Sequence, residues 1–177
     1  MNIAVFCSAG DVAEKYAQPA TGFVDLMLAG KHTLIWGGSD TGLMKVVASR
    51  IRAGGGKIVG ISVEMLKDVA RTDADEMIIT KDLSERKAMM LKRSDAIVVL
   101  PGGVGTLDEV TEAIETKKHH LHHKPIVFLN TDNFYEGLKS QLQRMQADGF
   151  LTRPLEEFVR FVDTPEEAMR YITEHGN

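Results

Sequence analysis

Seven short apolar runs alternate along the chain with longer stretches in which apolar residues recur at helical spacing. The runs lie at 3–7, 33–36, 58–61, 77–80, 96–100, 126–129 and 158–162. Several are apolar without interruption, as expected of strands covered on both faces. The stretches between them predict helices near 12–29, 42–53, 83–93, 106–118, 134–148 and 165–175. Asp82 and Glu85 have the spacing of a capping box, and Thr164-Pro165 reads as an N-cap followed by proline at the first helical position. Strand–helix alternation of this kind predicts an α/β fold with a mostly parallel sheet and right-handed crossovers. No linker, repeat or low-complexity segment interrupts it, so residues 1–177 are expected to form a single domain.

Composition narrows the picture. Hydrophobic residues make up 44% and charged residues 26%, which argues against disorder. A net charge of -4 gives no general electrostatic case for nucleic acid or an anionic membrane as partner. No apolar run approaches the roughly 20 residues needed to span a bilayer. The first residues, MNIAVFCSAG, lack a cationic start and read as a strand rather than a signal peptide. The single cysteine, Cys7, excludes an intrachain disulfide and suits a reducing compartment. The expectation is a cytoplasmic protein.

In open α/β sheets ligands bind beyond the carboxyl ends of the strands, near the topological switch point. Three loops there are rich in small residues: CSAG with Ser8, GGSDTG with Gly38, and PGGVG at 101–105. The last is the most suggestive. In VVLPGGVGTLDE a strand meets a glycine turn and then a helix start, so freed N–H groups and the helix dipole make an anion site near Gly102, Gly103, Val104, Gly105 and Thr106. A phosphate is the natural ligand. No Walker loop is present, and Asp108 stands where a dinucleotide fingerprint needs its third glycine, which disfavours an NAD-dependent oxidoreductase. Glu109 lies near the helix start beside the stripe Leu107, Val110 and Ile114, about one turn (~5.4 Å) from the glycines. Thr106 through Glu109 also fits a capping box, the bland reading of that glutamate. Arg86 and Lys87, in LSERKAMM, open another helix where cations oppose the dipole. Arginine offers a planar fork for phosphate or carboxylate.

Together these residues resemble a known family. PGGVGTLDE resembles the P-G-G-x-G-T-x-x-E signature of the Lonely Guy proteins, once labelled lysine-decarboxylase-like. SERKAMM and GGSDTGLM resemble their Arg-Lys segment and earlier glycine turn, in matching order across nearly the whole chain. The resemblance implies a Rossmann-like, doubly wound, mostly parallel sheet of about seven strands with helices on both faces, forming a homodimer. It implies hydrolysis of the N-glycosidic bond of nucleoside 5′-monophosphates, cytokinin riboside monophosphates or AMP, to free base and ribose 5-phosphate. Arg86 and Glu109 match the catalytic pair. Lys87, Gly102, Gly103, Gly105 and Thr106 match substrate-binding positions, and Val104, Ser8 and Gly38 join them as candidates. No cofactor is implied, and no lysine is marked as a pyridoxal Schiff base. The chain departs from the pattern at Ser39, in the short CSAGD loop, and at Glu115 and Thr116. The alternative is a nucleotide or molybdenum-cofactor carrier on the same fold, which needs no Arg86–Glu109 pair. HHLHH at 119–123 has helical ligand spacing, but it follows Lys117 and Lys118 at a helix end, where cations suit the dipole, and no metal site is expected. Cys7 is expected to pack near the site rather than act as a nucleophile.

Overall fold

A computed structural model describes residues 1–176 of the chain. The strands are β1 (Asn2–Phe6), β2 (Thr33–Trp36), β3 (Ile58–Val63), β4 (Glu76–Thr80), β5 (Ala96–Val99), β6 (Ile126–Leu129) and β7 (Arg160–Val162). The helices are α1 (Glu14–Ala29), α2 (Gly42–Ala53), α3 (Leu83–Arg93), α4 (Val104–Lys118), α5 (Glu136–Ala147), α6 (Leu155–Phe158) and α7 (Pro165–His175). Two 3-10 turns, Glu64–Val69 and Thr131–Asn133, complete the connections.

The strands form one sheet in the order β4-β3-β2-β1-β5-β6-β7, and neighbouring strands pair in parallel throughout. The chain winds outward from β1 to β4, then returns to place β5 on the other side of β1. The switch point therefore lies between β1 and β5, where the loop amide of Ser8 donates to the carbonyl of Pro101 at 3.2 Å.

Successive strand residues face opposite cores. Ile3, Val5, Trp36 and Val98 pack with Phe23 and Met27 of α1, Val47 of α2 and Ile172 of α7. Ala4, Phe6, Ile97 and Phe128 pack with Met90 of α3, Val110 of α4 and Leu142 of α5. Covering both faces explains why the strands carry unbroken apolar runs instead of alternating with polar residues.

The boundaries differ from expectation in instructive places. The first helix starts at Glu14 rather than 12. Phe158 closes the short helix α6 after Pro154 and buries its ring in the second core, so β7 begins only at Arg160. Asp82 caps α3 by accepting from the amide of Glu85 at 2.8 Å, but the Glu85 carboxylate accepts from Lys81 N rather than from Asp82, so the box is half formed. The box at α7 is complete: Thr164 Oγ1 accepts from Glu167 N, and the Glu167 carboxylate accepts from Thr164 N.

Thr164→Ala removes that cap from α7. The expected loss is about 1 kcal/mol, which lowers the melting temperature by about 2–4 °C for a chain of this size. Thermal denaturation followed by circular dichroism checks it.

Candidate active site

Helices α3 and α4 each send one ionisable side chain under the carboxyl ends of the strands, and the two meet. Nη1 of Arg86 donates to Oε1 of Glu109 at 2.7 Å, and Nε donates to the carbonyl of Ile61 in β3 at 2.9 Å. Both side chains are more than nine-tenths buried. A guanidinium lies this close to the sheet because Gly37, after β2, has no side chain: a Cβ there would overlap Nη2 of Arg86. The first glycine of GGSDTG thus makes room for the arginine.

Glu109 occupies the buried face of α4 together with Thr106, Val110, Ala113 and Lys117. It lies within the stripe, not beside it. The capping reading fails for a simple reason. The helix starts two residues earlier than expected, its N-cap is Gly103, and the Glu109 carboxylate is turned inward to Arg86. Burial raises the Glu109 pKa above the ordinary glutamate value, and the Arg86 charge opposes the rise without cancelling it. Burial likewise pushes the Cys7 thiol far above its usual range, with the Glu109 charge adding to the effect, so this cysteine stays a neutral packed side chain.

The start of α4 supplies the complementary feature. Its first-turn amides, those of Val104, Gly105 and Thr106, have no partner within the helix. Gly102 is explained internally, since a Cβ there would overlap Thr106. Gly103 and Gly105 are not: a Cβ on either would meet nothing within 4 Å. Both backbones have negative or helical φ that other residues adopt. Glycine in a helix costs about 0.5–1 kcal/mol relative to alanine, and nothing inside the chain asks for it at Gly105. The bare backbone leaves space for something outside the chain to approach the amides.

These features share one cavity of about 300 Å³, at the lower end of the size range of small-molecule sites. Gly103, Gly105 and Thr106 line one side, Arg86 and Glu109 another, and Met44, Leu66 and Leu83 add an apolar part. Cys7, Ser8 and Ala9 complete it from the loop after β1. A recess of similar size between β7 and α7 contains none of the switch-point loops, and the chemistry belongs to the former.

Of the residues expected at the site, Arg86, Glu109, Gly103, Gly105, Thr106 and Ser8 line this cavity. Four stand apart from it. Gly38, at φ 76°, packs against Ser62 and Met77, and its carbonyl accepts from Arg71 N. Lys87 Nζ is held between Asp108 at 2.8 Å and Glu112 at 2.6 Å. That bridge ties α3 to α4 alongside the buried pair. The Val104 side chain points into solvent, 84% exposed, so only its amide is available. Gly102 lines a different cavity, on the side of Tyr16 and Phe134. The helix start that follows GGSDTG is occupied by the chain itself: the amides of Leu43 and Met44 donate to the carbonyls of Gly10 and Ser8. Ser39 shares a hydrogen bond with Thr41, which donates to Ala9 O, fastening the first loop. Met44 and Leu83 lie within GGSDTGLM and LSERKAMM, but nothing in the sequence marks them or Leu66 as lining residues, since single apolar residues at turns and helix starts look like ordinary positions. In HHLHH, the buried His122 donates from Nε2 to Ala113 O and accepts from Lys124 N at Nδ1, so both ring nitrogens are engaged.

Residues 44–172 match the family described as "possible lysine decarboxylase". A cytokinin riboside 5′-monophosphate phosphoribohydrolase of Mycobacterium tuberculosis is 39% identical over 95% of this chain and 91% of its own length. An Arabidopsis thaliana protein of the same description is 34% identical over 92% of this chain and 72% of its own. The chain belongs to this family. Among solved structures, the molybdenum cofactor binding protein of Rippkaea orientalis superposes with a TM-score of 0.74 at 21% identity, covering 98% of this chain and 95% of that one. A molybdenum cofactor carrier protein of Chlamydomonas reinhardtii gives 0.69 at 22%, covering 98% and 95%. These likenesses show the shared Rossmann-like fold.

The contact of Gly37 with Arg86 is testable by a double-mutant cycle. Gly37→Ala alone overpacks the site and is expected to cost about 1–3 kcal/mol. In the Arg86→Ala background the same change should cost at least about 1 kcal/mol less. Urea denaturation measures both, and additive losses would contradict the contact.

Proposed function

We propose that the protein hydrolyses the N-glycosidic bond of nucleoside 5′-monophosphates, cytokinin riboside monophosphates and AMP among them, to free base and ribose 5-phosphate. One observation carries this reading: a buried Arg86–Glu109 pair shares a cavity with the open amides of α4. The family relatives named phosphoribohydrolases support it.

The 5′-phosphate binds at the amides of Gly105 and Thr106, where the helix dipole favours an anion. The anomeric carbon then lies about one helical turn (~5.4 Å) away, beside Glu109. The apolar part of the cavity, Met44, Leu66 and Leu83, receives the base. As the C1′–N bond breaks, its electron pair leaves with the base and positive charge develops on the ribose. The ionised Glu109 stabilises that charge and takes a proton from the attacking water, whose oxygen bonds to C1′. The departing nitrogen is protonated from solvent. Arg86 keeps the carboxylate aimed and ionised. Lys87 acts through Asp108 and Glu112 by fixing α3 against α4. Water is the sole co-substrate, so the reaction asks for no cofactor.

The reading includes a homodimer. Met65 and Val69, in the turn after β3, and Ile79, in the edge strand β4, are exposed apolar residues, and Leu66 of the same turn and Leu83 after β4 reach the cavity. Exposed apolar side chains and an open edge strand are both features that a partner covers. The buried, single Cys7 suits a cytoplasmic setting. No helix among the described residues is long and apolar enough to cross a membrane.

Two measurements test the chemistry. Pure protein incubated with AMP or isopentenyladenosine monophosphate should release free base, scored by chromatography. Glu109→Gln should cut that rate by at least about 10²–10³-fold with an unchanged circular dichroism spectrum. Near-normal turnover would overturn the assignment, and tight binding without release in the wild type would favour a carrier. The pH profile is the second. Because the folded pKa of Glu109 is raised, its protonated, inactive form persists to higher pH than for an ordinary glutamate. Turnover should fall as pH drops through a limb above the usual glutamate range. A flat profile down to that range would contradict the role of the carboxylate.

A further inference from the structure

A second cavity, of about 340 Å³, opens on the other side of the glycine loop. It shares Ser8 and Gly103 with the catalytic cavity, and its remaining lining includes Asp11, Val12, Tyr16 and Phe134. Ser8 and Gly103, the N-cap residue beside the open amides of α4, therefore form the partition between the two spaces. A phosphate held on that partition has one substituent, the ribose, on the Glu109 side. Any group reaching the second cavity must be attached through the phosphate.

The lining indicates what that group is. Tyr16 and Phe134 form an edge-to-face pair with ring centroids 5.5 Å apart, and Phe134 is 42% exposed. Such a wall suits the face of a nucleobase. Asp11 is an exposed carboxylate able to accept hydrogen bonds from a ribose diol, the role an acidic residue plays in dinucleotide sites. Among the described residues the lining contains no lysine or arginine. The nearby Lys15 is paired with Asp132 and sits 4.9 Å above the Tyr16 ring. The space is thus fitted to a neutral nucleoside rather than to a further free phosphate. The turn that presents Phe134 is itself costly: Asp132 and Asn133 both adopt left-handed backbone, at φ 54° and 57°, and Thr131 Oγ1 is buried without a partner.

We propose that this cavity binds the distal nucleoside of a dinucleoside pyrophosphate, so that the enzyme accepts nucleotides whose 5′-phosphate is joined by a phosphoanhydride to a second nucleoside. The reaction remains the one proposed above, on which this inference rests. Water adds to C1′ of the proximal ribose, the proximal base leaves with the bonding pair and gains a proton, and the phosphoanhydride is untouched.

The test uses AMP and P1,P2-di(adenosine-5′) pyrophosphate as ligands for the wild type, Tyr16→Leu and Asp11→Ala. In the Glu109→Gln background, which binds without cleaving, titration calorimetry should show the dinucleoside compound binding at least about tenfold more tightly than AMP, as expected for one additional stacked base. Each variant should lose most of that advantage while its affinity for AMP and its rate of adenine release from AMP stay at wild-type values. Wild-type protein should also release adenine from the dinucleoside compound. Equal or weaker binding of that compound, or equal losses for both ligands in the variants, would overturn the proposal. Calorimetry does not depend on turnover. A binding preference that disappears in both variants would support the second site even if AMP were never cleaved, and that result would count only against the hydrolase reading.

Discussion

The ion pair between Arg86 and Glu109 is the constraint around which the carboxyl end of the sheet is arranged. Removing two charges from water is expensive, and their attraction compensates only when the geometry is good and the remaining hydrogen-bonding groups find partners. Here the guanidinium also donates to Ile61 O, and Gly37 yields the volume it needs. The carboxylate is less well served. Its raised pKa records that desolvation outweighs the help from Arg86. A carboxylate held in that state is poorly stabilised by the protein alone and interacts strongly with any positive charge that develops beside it. That is the property a glycosidic transition state exploits.

The surrounding elements follow from this pair. Helix α3 brings Arg86, α4 brings Glu109, and the Lys87 bridge to Asp108 and Glu112 sets one helix against the other. The turn after β2 gives Gly37 to the arginine and spends its other groups on the chain. Its helix amides hold the first loop at Gly10 and Ser8, and its Gly38 carbonyl holds Arg71. What is left open to a ligand is the start of α4, where Gly103 and Gly105 have neither a steric neighbour nor a conformational requirement inside the molecule.

Much of this is legible in the sequence, because strands buried on both faces leave unbroken apolar runs, and each of the seven strands coincides with such a run. The PGGVG turn and the charged pair were legible for similar reasons: glycine clusters and cations at a helix start stand out against ordinary usage. Other features were hidden by non-local effects. Helix α4 begins at Val104 because Gly103 serves as its cap, although glycines in that stretch read as loop. The same shift undid the capping box at Thr106. The task of Gly37 depends on an arginine 49 positions later, and the separation of Gly38 and Lys87 from the cavity depends on partners in other elements. Phe158 looked like strand because it is apolar, but the turn after Pro154 makes it helical. Leu66 and Leu83 meet in the cavity only through the fold.

The most direct test of the account is a crystal structure of the Glu109→Gln variant with AMP bound. The account predicts the phosphate within hydrogen-bond distance of the amides of Gly105 and Thr106, C1′ facing the side chain of residue 109, and adenine against Met44, Leu66 and Leu83. A phosphate bound away from the start of α4, or a glycosidic carbon turned from residue 109, would contradict it.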